Sequence, residues 1–304
     1  MDVPEINQII MLRPTESPII FVQQLGRGLR KIDGKEYVVI LDFIGNYTNN
    51  FMIPIALSGD RTYNKDNLRK YVMEGERVIP GASTIHFDEI AKKRIFETLD
   101  AANFSDVKLL RQSYINLKNK LGHIPSLMDF DLYGEIDVLR IFDNNNIGSY
   151  YTFLKKYEKE YTIRLTEEQE QILQFVSKKL ASGKRIHELA LLKKVIENHQ
   201  FSMGKLADVL LRDYGVAADE DALLNVINVM TNAFPAEAVR KTYASCVFIE
   251  KKTERETTEI DDYKVAEAFD RMLEDTDFRV ILSELVDFGI ARYNRDYSQR
   301  YHDT

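Results

Sequence analysis

QIIMLRP (residues 8–14), SPIIFVQQLGRGLR (residues 17–30) and YVVIL (residues 37–41) follow one another near the start of the chain. The first is an apolar run that Pro14 ends by withdrawing a backbone donor, as expected of a short buried strand. In the second, Ser17 suits a helix N-cap and Pro18 sits at the first helical position, where a missing N–H costs nothing. Asp33 and Gly34 then make a turn, and Tyr37–Leu41 reads as a second buried strand. Strand, helix and strand in succession predict a right-handed parallel crossover. Two strands cannot make a doubly wound sheet, and they are too apolar to stay exposed, so the unit is expected to pack against the rest of the chain.

Beyond Asn46 the strand signal fades and capped helices follow one another. Ser105 opens a helix whose Leu110, Tyr114, Leu117 and Leu121 form one apolar stripe, and Gly122 closes it. Thr166 with Gln169 makes a capping box, Ile172, Val176 and Leu180 line one face, and Gly183 stops that helix. Ser202 to Gly215, Asp219 to Phe234 and Thr276 to about Tyr293 repeat the pattern. Exceptions are a β-prone patch at Ser83–Phe87 and another at Ala244–Ile249, the latter followed by a polar stretch, Glu250–Glu259, that reads as a loop. No fixed-period repeat is present. The expected fold class is mainly α, a multi-helix body with an N-terminal α/β segment, divided at residues 1–60, 61–161 and 162–304.

Composition sets outer bounds. With 304 residues, 44% hydrophobic and 29% charged, the chain can bury real cores. One cysteine, Cys246, excludes an intramolecular disulfide framework, and the five histidines are not spaced as zinc ligands, so no metal site is expected. No apolar run approaches the ~20 residues of a membrane span, and the start lacks the order of a signal peptide. A soluble cytoplasmic protein without a membrane partner is expected. The net charge of −7 argues against a uniformly basic coat. The acidity lies mainly in residues 162–304, with 20 Lys/Arg against 26 Asp/Glu, whereas residues 61–161 carry 16 against 15. Any contact with a nucleic-acid backbone is therefore expected in the first 160 residues.

The stretch with chemical content is QQLGRGLR, residues 23–30. On a helix, Gln23, Arg27 and Arg30 are spaced by four and three residues and project from one face. Two guanidiniums without a carboxylate suit a phosphate that gains charge during transfer, and the two glycines keep the surface low enough for a bulky ligand to approach. This stretch resembles motif VI, Q-x-x-G-R-x-x-R, of superfamily 2 helicases. Asp2-Val3-Pro4-Glu5 resembles the end of motif V, although the glycine that would precede Asp2 is missing, and Leu12–Thr15 lies in the strand joining the two motifs. Gly81–Ile90, Leu121–Ser126 and Gly148–Tyr151 are similar to the uncharacterised helical module that follows the helicase core in bacterial proteins, many of which begin with a phospholipase-D-like nuclease domain.

The resemblance implies that the N-terminal segment is a remnant of a RecA-like second helicase lobe. It further implies Arg27 and Arg30 as γ-phosphate contacts, Gln23 as a supporting polar contact, and Asp2 and Gly26 at the nucleotide. The phosphate loop and the acidic magnesium motif, which belong to the first lobe, do not occur here. Met1 accordingly reads as a start inside motif V and not as a domain boundary. A larger parent would hydrolyse ATP with Mg2+ and act on DNA, with RNA left open. This chain would bind neither ATP nor Mg2+ by itself and would be inactive, needing the first lobe and, where present, the nuclease domain as partners. The rival expectation is an α-helical accessory module that binds DNA or protein without catalysis.

Weaker signals surround this motif. Short capped helices over Ser105–Tyr157, with Ser126 and Asp129 at one turn, resemble a helix-turn-helix, and Lys108, Arg111, Lys118 and Lys120 could meet phosphates. The bland reading is a solvated face. Tyr150, Tyr151, Phe153 and Tyr157 could stack bases but fit a core better. Glu250-Lys251-Lys252 contains the E-x-K of metal-dependent nucleases but has no upstream aspartate to go with it. His86 and Asp88 read as a surface pair, and Cys246 as a buried small hydrophobe.

Overall fold

The computed structural model describes residues 5–12, 18–30, 32–43, 50–60, 63–74, 84–102, 107–233, 237–252 and 263–297. The chain is mainly helical, with a two-stranded parallel sheet near its N-terminus. It divides into two compact units, residues 1–124 with 132–137, and residues 125–131 with 138–304.

In the first unit, β1 (Gln8–Met11) and β2 (Val39–Asp42) pair in parallel, Ile9 opposite Ile40 and Met11 opposite Asp42. The helix between them, α1 (Pro18–Gly28), buries Phe21, Leu25 and Gly28, positions spaced by four and three that make one stripe. Alternation along the strands turns Ile9, Met11 and Ile40 into a core that contains Phe21, Leu25, Ile53, Val72, Phe87, Ala91 and Ile95. Helices α2 (Met52–Ser58), α3 (Lys65–Glu74) and α4 (Glu89–Ala101) supply Ile53, Val72, Ala91 and Ile95, and Phe87 comes from the segment before α4. The opposite sheet face differs from expectation. Ile10, Leu12, Tyr37, Val39, Leu41 and Phe43 are all exposed, Tyr37 by 70%. The strands are covered on one face only, because a single helix lies over them and nothing among the described residues shields the other side. Of the patch expected at Ser83–Phe87, Ser83 lies outside the described residues and 84–87 are not a strand; Ile85 and Phe87 turn inward while Asp88 caps α4 through a 2.7 Å bond from the Ala91 N–H. The unit continues with α5 (Val107–Leu121), which buries Leu110, Ser113, Tyr114 and Leu117 and gives way to Gly122 at φ 78°. Ser17 and Ser105 lie outside the described residues.

The second unit holds most of α6 (Leu127–Tyr133), then α7 (Leu139–Asp143), α8 (Tyr150–Tyr157), α9 (Glu167–Phe175), α10 (His187–Asn198), α11 (Met203–Tyr214), α12 (Glu220–Met230), α13 (Glu237–Thr242), α14 (Glu267–Met272) and α15 (Thr276–Asp296). The capping box forms as expected: Thr166 Oγ1 accepts from the Gln169 N–H at 3.3 Å and Gln169 Oε1 from the Thr166 N–H at 2.9 Å. Gln169 also donates to Asp275, which caps α15, so one side chain ties together the starts of two helices. Val176–Leu180 continues α9 as a π-helical turn, with the Ala181 N–H reaching Val176 O at 2.9 Å. Gly183 then approaches α15 so closely that a Cβ would stand 2.6 Å from Gly289 O, at a φ of 70° that itself favours glycine. Asp131 is buried between Arg292 at 3.1 Å and Arg295 at 2.6 Å. The expected strand at Ala244–Ile249 is displaced. Residues before Ile249 turn, and β3 is Ile249–Lys251, antiparallel to β4 (Tyr263–Val265), while α12 ends at Met230 and not at Phe234.

Candidate functional site

The buried stripe of α1 fixes what its other side can offer. With Phe21, Leu25 and Gly28 facing the sheet, Gln23, Gly26 and Arg27 are exposed. They are three and four residues apart and therefore share a side. Among the described residues the Arg27 guanidinium makes no ion pair. Arg30 is placed differently from expectation. The helix ends at Gly28, the Leu29 N–H still reaches Leu25 O at 3.2 Å, and Arg30 follows in exposed non-helical chain. Helical spacing therefore brings Gln23 and Arg27 together but does not by itself aim Arg30. Asp2 lies outside the described residues.

The two glycines of the motif have separate causes. Among the described residues a Cβ on Gly26 would have no atom within 4 Å, which leaves open space above the helix at that point. A Cβ on Gly28 would stand 1.9 Å from Ile9 Cδ1 and 3.0 Å from Cγ1. Gly28 is buried, so it serves the seating of α1 on β1 and does not lower the outer surface. Lys35 is the residue that the motif reading missed. A turn in which the Lys35 N–H meets Ile32 O at 3.1 Å, with Gly34 at φ 84°, brings it back to the helix end. There its ammonium donates to Gly28 O at 2.7 Å and Arg30 O at 3.0 Å.

On α5, Lys108 and Arg111 are exposed and Lys118 half-buried, and their spacing places all three on one side of the helix. Lys120 departs from that side, its ammonium 5.4 Å from the centre of the Tyr133 ring. The aromatic residues of α8 are mostly interior. Tyr151 and Phe153 are buried, Tyr150 donates to Pro125 O at 2.6 Å, and Tyr157 packs on Phe153. Glu250 stands opposite Lys264 across β3 and β4 and pairs with it at 3.1 Å, an ordinary cross-strand ion pair. Burial pushes the Cys246 thiol up to about 12, so it stays protonated and inert. Among the described residues no cluster of His, Cys, Asp or Glu could hold a metal ion, and no helix is long and apolar enough to cross a membrane.

One further charged group escaped the sequence reading. Glu188 is buried in the first turn of α10, with the Arg185 Nε 3.0 Å away at the surface. Desolvation raises its pKa, opposed by Arg185 and by its own backbone N–H.

Two comparisons with known proteins bear on the chain. The family model described as Domain of unknown function (DUF8090) matches residues 110–298, more than half of the chain, and the chain belongs to that family. A 44-residue stretch, 14% of the chain, is 46% identical to the Saccharomyces cerevisiae protein named "Putative ATP-dependent helicase IRC3". That stretch spans 6% of the yeast protein.

Proposed function

We propose that this member of the Domain of unknown function (DUF8090) family is part of an ATP-dependent helicase or translocase acting on DNA, with RNA as the other candidate strand. In this reading residues 1–60 carry the arginine side of the ATPase site. The observation that carries it is the surface of α1, where Gln23 and Arg27 stand exposed on either side of Gly26, above which no atom lies within 4 Å. Among the described residues Arg27 has no ion-pair partner that a phosphate would displace, and the 44-residue similarity to the yeast protein named as a putative ATP-dependent helicase supports the same reading. ATP and Mg2+ would be held chiefly by a phosphate-binding lobe that faces α1. Arg27 and Arg30 would meet charge that grows on the transferring phosphoryl group, with Gln23 supporting and Asp2 near the ribose. The open sheet face of Ile10, Leu12, Tyr37, Val39, Leu41 and Phe43 favours a unit that is completed by further polypeptide, because parallel strands are stable when both faces are covered.

The test is ATP turnover by the polypeptide that joins this chain to a phosphate-binding lobe. Arg27→Ala and Arg30→Ala are each expected to lower turnover roughly 10³-fold, with a smaller loss of ATP binding, and lysine at either place to rescue poorly. Near-normal turnover in both alanine variants rejects the reading. A second role, DNA or protein binding by the α-helical part of the chain as an accessory module, is favoured by the shared side of Lys108, Arg111 and Lys118 on α5.

A further inference from the structure

We propose that Lys35 is a positioning residue for Arg30, a role that rests on the proposed reading of the arginines. An α-helix fixes a side chain only while its hydrogen-bond ladder continues, and the ladder of α1 ends with the bond from Leu29 to Leu25. Arg27 is held by the helix, but Arg30 is not. A second constraint has to set the distance between the two guanidiniums if they are to meet one phosphoryl group.

Lys35 supplies it. Its ammonium bonds the carbonyls of Gly28 and Arg30, the residues on either side of Leu29, at 2.7 and 3.0 Å. Gripping both carbonyls with one cation removes most of the torsional freedom of the two peptides between them. The cation also lies at the negative end of the helix, where its charge is favoured. The turn at Asp33–Gly34 makes the reach short, and Gly28 itself sits close against Ile9 of β1. Residues 28–30 are thus clamped from two directions, by packing from β1 and by charge from Lys35. A compact ammonium with several donors suits two carbonyls that do not lie in one plane, whereas a planar guanidinium fits both less well.

The experiment compares Lys35→Met, which keeps the aliphatic stem and removes the donors, with Lys35→Arg. In the 304-residue chain, amide hydrogen exchange at Leu29 and Arg30 should accelerate about tenfold or more in Lys35→Met, with exchange in α4 unchanged. In the ATP-hydrolysing polypeptide, Lys35→Met should lower turnover by roughly tenfold to a hundredfold while leaving ATP affinity within about twofold, and Lys35→Arg should recover part of the loss. Unchanged exchange at Leu29 and Arg30 overturns the clamp. Normal turnover in Lys35→Met, alongside a large loss in Arg30→Ala, overturns the positioning role and leaves the arginine reading standing. Normal turnover in Arg30→Ala removes the role of Arg30, and that of Lys35 with it, while Arg27→Ala still decides whether the motif carries the arginine side of the site.

Discussion

Gly26 and Gly28 stand two residues apart in one motif, and the structure gives them opposite responses to the same substitution. At Gly26 an added methyl meets nothing within 4 Å, so alanine acts only through helix propensity and should stabilise the first unit by up to ~1 kcal/mol. At Gly28 the methyl would stand 1.9 Å from Ile9 Cδ1, well inside contact distance. Ile9 is half-buried and packs against the core that contains Met11, Phe21 and Leu25, so its terminal methyl must turn away and repack against those neighbours. Overpacking of this kind costs ~1–3 kcal/mol, and after a propensity gain of up to ~1 kcal/mol Gly28→Ala should leave the unit less stable than Gly26→Ala does, with a net cost of up to ~2 kcal/mol. Ile9→Val deletes the clashing carbon. On its own it should cost ~0.5–1.5 kcal/mol, but in the background of Gly28→Ala it should cost little or nothing. The assay is urea unfolding of the wild-type chain and the four variants, followed by far-ultraviolet circular dichroism and by hydrogen exchange in β1 and α1. Equal effects of the two alanines, or additive energies in the Ile9–Gly28 cycle, would refute the close seating of α1 on β1.

Three other outcomes are expected. Thr166→Ala removes one half of the capping box and should cost ~1 kcal/mol in the unfolding free energy of the second unit, with Thr166→Ser close to wild type. Glu188 has a folded pKa above its ordinary 4.5, so the stability it permits is complete below that pH and is lost as pH rises through the folded value; Glu188→Gln should raise Tm at pH 7 and match wild type near pH 4, and a lower Tm at pH 7 would contradict its net burial penalty. Lys108→Glu with Arg111→Glu should weaken any binding to DNA and flatten its salt dependence, by ~0.9 in log–log slope for each phosphate no longer neutralised, whereas unchanged binding would return α5 to a solvated face.

Much of the fold is legible in the sequence because helix ends are local. A cap needs a side-chain oxygen and an N–H three residues away, and Thr166, Ser202 and Asp219 each form the bond that their positions announce. Gly122 and Gly215 take the positive φ expected of a helix end. What failed to show depends on contacts distant in sequence. β3 is shorter and later than its apolar run, since Cys246 and Phe248 are spent on burial near α9 and α12 and the ladder forms only where Ile249 meets Val265. The π-helical turn at Val176–Leu180 has no composition of its own, and its extra width becomes readable only where Gly183 and Ala181 settle on α15. Glu188 looks like a surface charge in the sequence because burial at a helix start leaves no local pattern.

The candidate site divides along the same line. Gln23, Gly26 and Arg27 can be placed from spacing alone, since all three lie within α1 and the buried stripe fixes its rotation. Arg30 cannot, because the period of the helix stops before reaching it. Its place depends on a lysine five residues later, on the turn that returns that lysine, and on a glycine whose missing side chain is filled by a neighbouring strand. A motif written as fixed spacings therefore mixes two kinds of residue. Some are determined by one helix, while others are determined by what grips the chain after the helix has ended. If the arginines act together, the second kind carries the precision of the site, and residues outside the motif, Lys35 first among them, should be as sensitive to substitution as the buried Gly28 within it.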